Sequence, residues 1–141
     1  MGFLCETKSG ETKKTINNYQ LAMGEVNNPL WKKSYDFALI IIEIYKSLVS
    51  SKKEFVLSKQ LLRSGTSIGA NIAEANGAIS KADFSAKISI AYKESLEVKY
   101  WLSLLKDSEY LEVDTFQNSY EKADELSKIM FSILKTTRIE N

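Results

Sequence analysis

The sequence feature that most constrains the fold is a regular repeat of apolar and small residues in the third quarter of the chain. They recur at alternating steps of four and three: Phe84, Ile88, Ala91, Ser95, Val98, Leu102 and Leu105. A mean period near 3.5 residues places these side chains on one face of a long α-helix, whereas a strand would alternate every two residues. A helix with such a face has to bury it against other helices.

A second helix of this kind is predicted from Asn28-Pro29, because proline suits the first helical turn. Its apolar residues form a seam with heptad-like spacing: Trp31, Tyr35, Ala38, Ile42, Tyr45 and Val49. A second apolar stripe lies beside the seam: Phe37, Ile41, Ile44 and Leu48. This apolar face is wider than one neighbouring helix requires, so we expect burial on two sides, as at a subunit interface.

Between these two helices the sequence predicts another, which carries three different stripes. The apolar stripe comprises Leu57, Leu61, Ser64, Ile68, Ile72 and Ala75. A stripe of small residues, Gly65, Gly69 and Ala73, would let another backbone come close, and a polar stripe comprises Arg63, Ser67, Asn71 and Glu74. Ser51 and Glu54 have the spacing of a capping box at its start, and Gly77 is expected to end it in a left-handed conformation.

The remaining boundaries predict two further helix starts. Ser80 with Asp83 precedes the helix that we expect from Lys81 to about Lys106, and Asp114 with Gln117 precedes the last helix. The apolar positions of that last helix are Phe116, Tyr120, Ala123, Ile129 or Met130, and Ile133. Four helices with short joins and a single proline predict an all-α, up-and-down antiparallel four-helix bundle over residues 29–138. Residues 1–28 are polar and are predicted to be a flexible N-terminal extension, with Met23 as an alternative start of the chain.

The composition bounds the function. The chain has 141 residues, a net charge of +1, one cysteine and no histidine. The single Cys5 allows no internal disulfide, which favours a reducing, cytoplasmic setting. The absence of histidine removes the commonest general base and metal ligand. The longest apolar run, residues 37–42, is far shorter than the ~20 residues of a membrane-spanning helix, so no membrane association is expected.

Charge is unevenly distributed despite the small net value. Residues 31–64 carry a net charge of +4 and residues 108–141 a net charge of −3. The positive segment supplies the candidate nucleic-acid contacts Lys32, Lys33, Lys46, Lys52, Lys53 and Lys59. Such charges are commonly solvated faces, but opposite signs can also help neighbouring subunits to select each other. In a ring the positive segment would be repeated around the axis as a basic band.

One group of polar residues could be mistaken for an active site: Arg63, Asn71, Glu74, Glu94 and Glu97. On adjacent antiparallel helices Arg63 could pair with Glu94 or Glu97, while Ser67 and Asn71 satisfy the remaining lone pairs. We interpret this group, with Trp101, as a buried polar layer that fixes helix register and assembly.

Catalytic interpretations of this group lack support in the sequence. Hydrolysis by paired carboxylates needs a cleft and a raised pKa on one partner, and the di-iron pattern of helical bundles needs Glu-x-x-His. The run from Ser64 to Gly69 also lacks the Gly-Lys-Ser/Thr ending of a phosphate loop. We therefore predict no catalytic, cofactor-binding or metal-binding residues. Trp31 and Trp101 are expected to anchor the core or an interface, with base stacking as the alternative.

Several segments in this order and spacing resemble the four-helix bundle protein family, which includes proteins encoded in intervening sequences of bacterial large-subunit ribosomal RNA genes. The segments are Asn28-Pro29-Leu30, Leu61-Leu62-Arg63-Ser64, Asn71-Ile72-Ala73-Glu74, Ser80-Lys81-Ala82-Asp83-Phe84 and Tyr100-Trp101-Leu102. The accessory protein of diversity-generating retroelements is more distantly similar. This chain departs from the family pattern at Leu62, Gly69 and Ala75, where many members have arginine, proline and glycine.

The resemblance implies a protomer that assembles into a ring, commonly a pentamer, with no enzymatic activity. By analogy with the retroelement protein, it also implies nucleic-acid binding. Two hypotheses follow: a scaffold ring that binds a protein partner of unknown identity, and an accessory ring that binds structured RNA or DNA. The salt dependence of nucleic-acid affinity distinguishes them.

Overall fold

The computed structural model describes residues 28–140, with side chains described through residue 138. This part of the chain forms the α-helices α1 (Pro29–Ser50), α2 (Leu57–Asn76), α3 (Lys81–Asp107) and α4 (Val113–Glu140). Short connections join the helices, and each helix packs against the next one in the chain. α1 also contacts α4, but less extensively. The predicted all-α up-and-down bundle is confirmed.

The hydrophobic core contains the apolar repeat of α3. All seven of its positions are buried, from Phe84 to Leu105. From α2 the core receives Leu61, Ser64, Ile68, Ile72 and Ala75, while Leu57 is only partly buried. On α4, Met130 rather than Ile129 is fully buried, which decides the alternative that the sequence left open. The 3.5-residue period therefore identified the buried face of α3.

Two helix starts agree with the sequence. The Oδ1 atom of Asn28 accepts a hydrogen bond of 2.8 Å from the Trp31 backbone N–H, with Pro29 in the first turn. The hydroxyl of Ser80 accepts one of 3.0 Å from the Asp83 N–H. Asn28 therefore belongs to the bundle rather than to the extension. Residues 1–27 lie outside the described part of the chain, so the flexible extension stays a prediction.

The start of α2 differs from the predicted capping box. The hydroxyl of Ser51 plays no capping role there; instead the Glu54 carboxylate accepts hydrogen bonds from the N–H groups of Val56, Leu57 and Ser58, at 3.2, 2.9 and 2.6 Å. The Glu54 N–H in turn donates to the carbonyl of Leu48. One buried carboxylate thus satisfies three otherwise unpaired donors and sits at the positive end of the helix dipole.

Two other boundary predictions are wrong. Gly77 follows the last residue of α2 but has φ −102° and ψ 17°, because its N–H closes a tight turn onto the carbonyl of Glu74. The left-handed residues of the described chain are Lys53 and Glu109, in the connections after α1 and α3. Asp114 lies within the first turn of α4, which begins one residue earlier at Val113.

On α1, the stripe beside the predicted seam faces the core. Phe37, Ile41, Ile44 and Leu48 are buried, while the seam residues are partly buried or exposed: Trp31, Tyr35, Ala38, Ile42, Tyr45 and Val49. The bundle therefore covers one of the two apolar stripes of α1. The second stripe is left on the outside of the protomer.

The small-residue stripe of α2 brings α1 close, as its spacing predicts. A Cβ atom on Gly65 would lie 2.8 Å from both Cγ atoms of Ile41, and one on Gly69 would lie 3.4 Å from Oγ of Ser34. Ala73, the third member of the stripe, is exposed. Gly65 is therefore required by packing, whereas Gly69 has room for a methyl group.

Candidate functional site

The predicted pairing of Arg63 with acidic residues of α3 is present. Its Nη2 atom donates to Glu97 Oε2 at 2.7 Å, and its Nη1 atom donates to Glu94 Oε2 at 3.3 Å. The indole Nε1 of Trp101 donates to the same Glu97 oxygen at 2.9 Å. Glu94, Glu97 and Trp101 lie on successive turns of α3, so the repeat that buries the core also aligns these side chains toward α2. We call these residues the α2–α3 polar cluster.

Charge and hydrogen bonding hold the α2–α3 polar cluster in its ionised form. The hydrogen bond to Glu97, followed by that to Glu94, raises the pKa of Arg63 above its ordinary value. The hydrogen bond from Trp101 and the pairing with Arg63 lower the pKa of Glu97, outweighing its partial burial. A carboxylate with a lowered pKa is a poor general acid and a weak base. The cluster is therefore suited to joining two helices rather than to proton transfer.

The structure corrects three members of the predicted layer. The hydroxyl of Ser67 donates to the carbonyl of Ser64, and the side-chain amide of Asn71 donates to the carbonyl of Ser67, both within α2. The Glu74 carboxylate pairs with Lys87 at 2.9 Å. Because each of these groups finds a nearer partner, none of them contacts the α2–α3 polar cluster.

The cluster is also more exposed than the prediction of a buried layer requires. The side chain of Arg63 is 51% exposed in the protomer, and those of Glu94 and Glu97 are 18% and 35% exposed. The Oε1 atom of Glu94 is buried without a hydrogen bond, although it lies 3.3 Å from Arg63 Nη2. The guanidinium therefore remains within reach of solvent or of another chain.

A second polar contact between helices was not anticipated from the sequence. Lys99 of α3 donates to Asp124 of α4 at 2.8 Å, and the hydroxyls of Ser95 and Ser127 lie 2.7 Å apart in the core. The hydrogen bond from Lys99, with a second from Lys128, lowers the pKa of Asp124. The only signal available in the sequence was Ser95 at a core position of the repeat. These contacts fix the register of α3 against α4.

The six candidate nucleic-acid lysines fall into two groups. Lys32 pairs with Asp36 at 2.8 Å, Lys33 with Glu125 at 2.8 Å and Lys46 with Glu43 at 3.5 Å. The others have no carboxylate partner among the described residues: Lys52, Lys53 and Lys59. These three lie around the α1–α2 connection, where Phe55 is 53% exposed and Val56 is 70% exposed. The three unpaired lysines among the six candidates therefore lie at one end of the bundle.

An apolar groove runs between the outer faces of α1 and α2, with a cavity volume of about 230 Å³. One wall is formed by Trp31 and Tyr35, whose rings stack with centroids 5.0 Å apart. The lining residues are Trp31, Ser34, Tyr35, Ala38, Thr66, Gly69, Ala70 and Ala73. Periodicity indicated both the seam and the small-residue stripe, but not that they would meet. We call this feature the α1–α2 groove.

Apolar side chains are also exposed on the outer face of α3. Leu96 is 42% exposed and Tyr100 is 58% exposed, and both lie opposite the buried face of that helix. α3 contacts α2 and α4 but not α1. This outer α3 patch and the α1 seam are therefore on different sides of the bundle.

No group of three or more His, Cys, Asp or Glu side chains between residues 28 and 138 is arranged to hold a metal ion. Within the same part of the chain, no helix is long and apolar enough to cross a membrane.

Comparison with known proteins places these features in a family context. A family model described as 23S rRNA-intervening sequence protein matches residues 26–132. The chain is also similar to a crystal structure of a protein with unknown function from the S23 ribosomal protein family of Bacteroides thetaiotaomicron. The two share 48% identity with a TM-score of 0.76, and the match covers 79% of this chain and 99% of that one. No curated protein matches the chain.

Proposed function

Since the chain belongs to the 23S rRNA-intervening sequence protein family, we propose that it is a non-enzymatic, homo-oligomeric binding or scaffolding module. The resemblance that predicted this family also implies a ring, commonly of five copies. The observation that carries the proposal is the presence of two exposed apolar faces on different sides of one protomer. The retroelement accessory protein stays a more distant resemblance and carries no part of the argument.

The first face is the C-terminal half of the α1 seam. Leu39 is 48% exposed beside it, and Ile42, Tyr45 and Val49 are only partly buried by the bundle. The second face is the outer α3 patch, with Leu96 and Tyr100. When two different faces of one protomer contact each other in successive copies, the contact is heterologous, and it forms a ring where the rotation between copies closes. A two-fold dimer would need only one of these faces.

Charge distribution supports the same arrangement. Residues 31–64 of one copy are net positive and residues 108–141 are net negative. Facing segments of opposite sign favour one docking orientation over others and speed encounter. Lys33 already pairs with Glu125 between α1 and α4 in a single copy, so the two segments can interact favourably.

Two variants test the ring with a matched control. Tyr45→Glu places a charge on the α1 face, where Tyr45 is only partly buried in the protomer, and Tyr100→Glu places one on the outer α3 patch. We expect each variant to lower the mass measured by light scattering after size-exclusion chromatography. Ser132→Glu, at an exposed position of α4, should leave that mass unchanged.

A mixing experiment then identifies the contact as heterologous. A mixture of the Tyr45→Glu and Tyr100→Glu proteins retains one intact pair of complementary faces, so it should form heterodimers of about 32 kDa from 16.0 kDa chains. A two-fold contact through the α1 face alone would leave Tyr100→Glu with the wild-type mass. That result would contradict the proposed ring.

Nucleic-acid binding is a second candidate function, favoured by the unpaired lysines. Lys52, Lys53 and Lys59 are free of carboxylate partners in the described chain and lie beside the exposed ring of Phe55. Lysines that neutralise phosphates release counterions, and an exposed aromatic ring can stack on an unpaired base. Lys32, Lys33 and Lys46 are weaker candidates, because their charges are already paired.

Fluorescence anisotropy with a structured RNA and a duplex DNA at two salt concentrations tests this candidate. Binding through the α1–α2 connection predicts an affinity that falls steeply with salt and is reduced by the double variant Lys52→Glu/Lys53→Glu. The matched control is Lys122→Glu with Lys135→Glu, which makes the same change in net charge at exposed positions of α4. Equal losses in the two double variants would remove the connection as the contact surface.

A further inference from the structure

Two connections at one end of the bundle carry charges of opposite sign. In an up-and-down bundle the α1–α2 and α3–α4 connections lie at the same end. The charged residues of these connections and of the helix turns that follow them are Lys52, Lys53 and Lys59 on the first, and Glu109, Glu112 and Asp114 on the second. All six side chains are exposed, and none forms an ion pair within residues 28–138. These charges are therefore available to another molecule.

Backbone hydrogen bonds hold both connections in place. In the α1–α2 connection the Glu54 N–H donates to the carbonyl of Leu48 at 3.0 Å, while the Glu54 carboxylate caps α2. After α3 the Glu109 N–H donates to the carbonyl of Lys106 at 2.9 Å. Side chains on an ordered backbone lose less conformational entropy when they contact a partner. Both connections are therefore preorganised for binding.

The surroundings of these charges favour a second copy of the chain as the partner. Phe55 and Val56 are exposed on the α1–α2 connection, and Val113 is exposed where α4 begins. A nucleic acid would contact the lysines but would be repelled by the carboxylates at the same end of the bundle. A second copy offers charges of both signs and apolar side chains beside them, so it complements the whole surface.

The two apolar faces of the proposed ring lie at matching distances from this end of the bundle. Leu39 on α1 and Leu96 on α3 both lie ~16 Å before the end of their helix, and Tyr45 and Tyr100 lie ~8 and ~10 Å before it. A cyclic ring whose axis runs along the helices keeps every residue at its own height. Contact between these faces therefore brings the α1–α2 connection of one copy beside the α3–α4 connection of the next.

We propose that these two connections form an ionic contact between neighbouring copies, in which Lys52 and Lys53 face Glu109 and Glu112. The contact rests on the proposed function, because it presupposes the ring, and it adds the element that selects which faces meet. Exposed ion pairs contribute little stability, whereas like charges exclude wrong docking orientations. Salt screens such pairs, so the contribution of this contact to assembly falls as the ionic strength rises.

Charge reversal with restoration tests the contact. Lys52→Glu/Lys53→Glu and Glu109→Lys/Glu112→Lys each place like charges opposite one another. We expect each double variant to raise the concentration of half-assembly about tenfold at about 20 mM salt, and less than twofold at about 0.5 M salt. The variant that carries all four changes restores opposite signs and should assemble like the wild type. Light scattering over a dilution series measures these concentrations.

The outcomes separate this contact from the ring itself. Lys122→Glu/Lys135→Glu, on exposed positions of α4, is the matched control and should leave half-assembly unchanged. Wild-type assembly by both reversed variants at low salt would overturn the contact and leave the ring intact, whereas a monomeric wild type would overturn both. Lower RNA affinity of Lys52→Glu/Lys53→Glu with unchanged assembly would assign these lysines to nucleic acid and overturn the contact.

Disulfide trapping between chains provides a second readout. In a Cys5→Ser background, chains with Lys52→Cys are coexpressed with chains with Glu109→Cys. We expect a linked dimer of about 32 kDa on non-reducing gels, because a disulfide requires Cα atoms within ~7 Å. Ser132→Cys replaces Glu109→Cys in the control, because Ser132 is exposed ~28 Å along α4 from its start.

The rates of cross-linking decide between the arrangements. The Lys52→Cys and Glu109→Cys chains should cross-link about tenfold faster than the control chains, as a defined contact requires. Equal rates would overturn the proposal. Cross-linking of Lys52→Cys chains with each other at the same rate would indicate a two-fold contact at this end of the bundle, and it would also overturn the proposal.

Discussion

The two glycines of α2 that face α1 predict opposite responses to the same substitution. Gly65→Ala places a methyl group 2.8 Å from Cγ1 and Cγ2 of the fully buried Ile41, whose branched side chain is stiff at that point. Overpacking of this kind costs about 1–3 kcal/mol, and we expect a value near the upper end. Alanine recovers about 1 kcal/mol of helix propensity, so the net loss should be about 2 kcal/mol.

Gly69→Ala is the matched control, four residues along the same helix. Its new methyl group would lie 3.4 Å from Ser34 Oγ, which is ordinary van der Waals contact. Only the propensity term remains, so this variant should gain about 0.5–1 kcal/mol. The structure therefore predicts a difference of about 3 kcal/mol between two chemically identical changes.

Urea unfolding followed by circular dichroism measures both changes. All variants are compared at one protein concentration, because the stability of an oligomer depends on concentration. An unchanged m-value would show that the midpoint shift reflects stability alone. Ile41→Leu moves the branch point away from Gly65, and combined with Gly65→Ala it should recover part of the loss. If both glycine variants were stabilised, the close approach of α1 to α2 would be refuted.

Three further changes test other parts of the account by the same unfolding assay. Arg63→Ala should lower the free energy of unfolding by about 1 kcal/mol, because the guanidinium is half exposed. Loss of a buried pair would cost ~3 kcal/mol. An unchanged free energy of unfolding would show that the α2–α3 polar cluster does not stabilise the bundle. Burial raises the pKa of Glu54, but the three backbone N–H bonds outweigh it and lower that pKa below its ordinary 4.5. The stability from Glu54 is therefore present above pH 4.5 and lost as the pH falls through the lowered value, and Glu54→Gln should flatten that part of the pH profile. Glu109→Gly should stabilise by about 0.5–1 kcal/mol, because φ of 67° strains a residue with a side chain; a loss would mean that the Glu109 side chain contributes more than the strain costs.

The contrast between α3 and α1 explains how far the sequence predicts the fold. On α3, one apolar stripe exists and periodicity alone identified every buried position. On α1, two apolar stripes exist, and the more regular seam from Trp31 to Val49 is the one left outside. Periodicity shows which residues share a face, but the choice between two apolar faces depends on the positions of the other helices.

In the candidate site, too, the sequence predicts some contacts and not others. The partners of Arg63 followed from helix spacing, because Glu94 and Glu97 lie one turn apart on the adjacent helix. The partners of Ser67, Asn71 and Glu74 could not be predicted from helix spacing. Hydrogen bonds within a helix compete with bonds between helices, and spacing does not show which of them forms. Predicting that Glu54 caps α2 would also have required the path of the α1–α2 connection, in which the Glu54 N–H donates to the carbonyl of Leu48. Three-dimensional placement, rather than residue type, decided each of these cases.

Sedimentation equilibrium of the wild-type protein tests the central claim of homo-oligomeric assembly most directly. The chain mass is 16.0 kDa, so the ring of five copies implied by the family resemblance predicts a single species of about 80 kDa. The measured mass should stay constant over the micromolar range at physiological salt. A species of 16.0 kDa throughout that range would contradict the account, because both exposed apolar faces would then be stable without a partner.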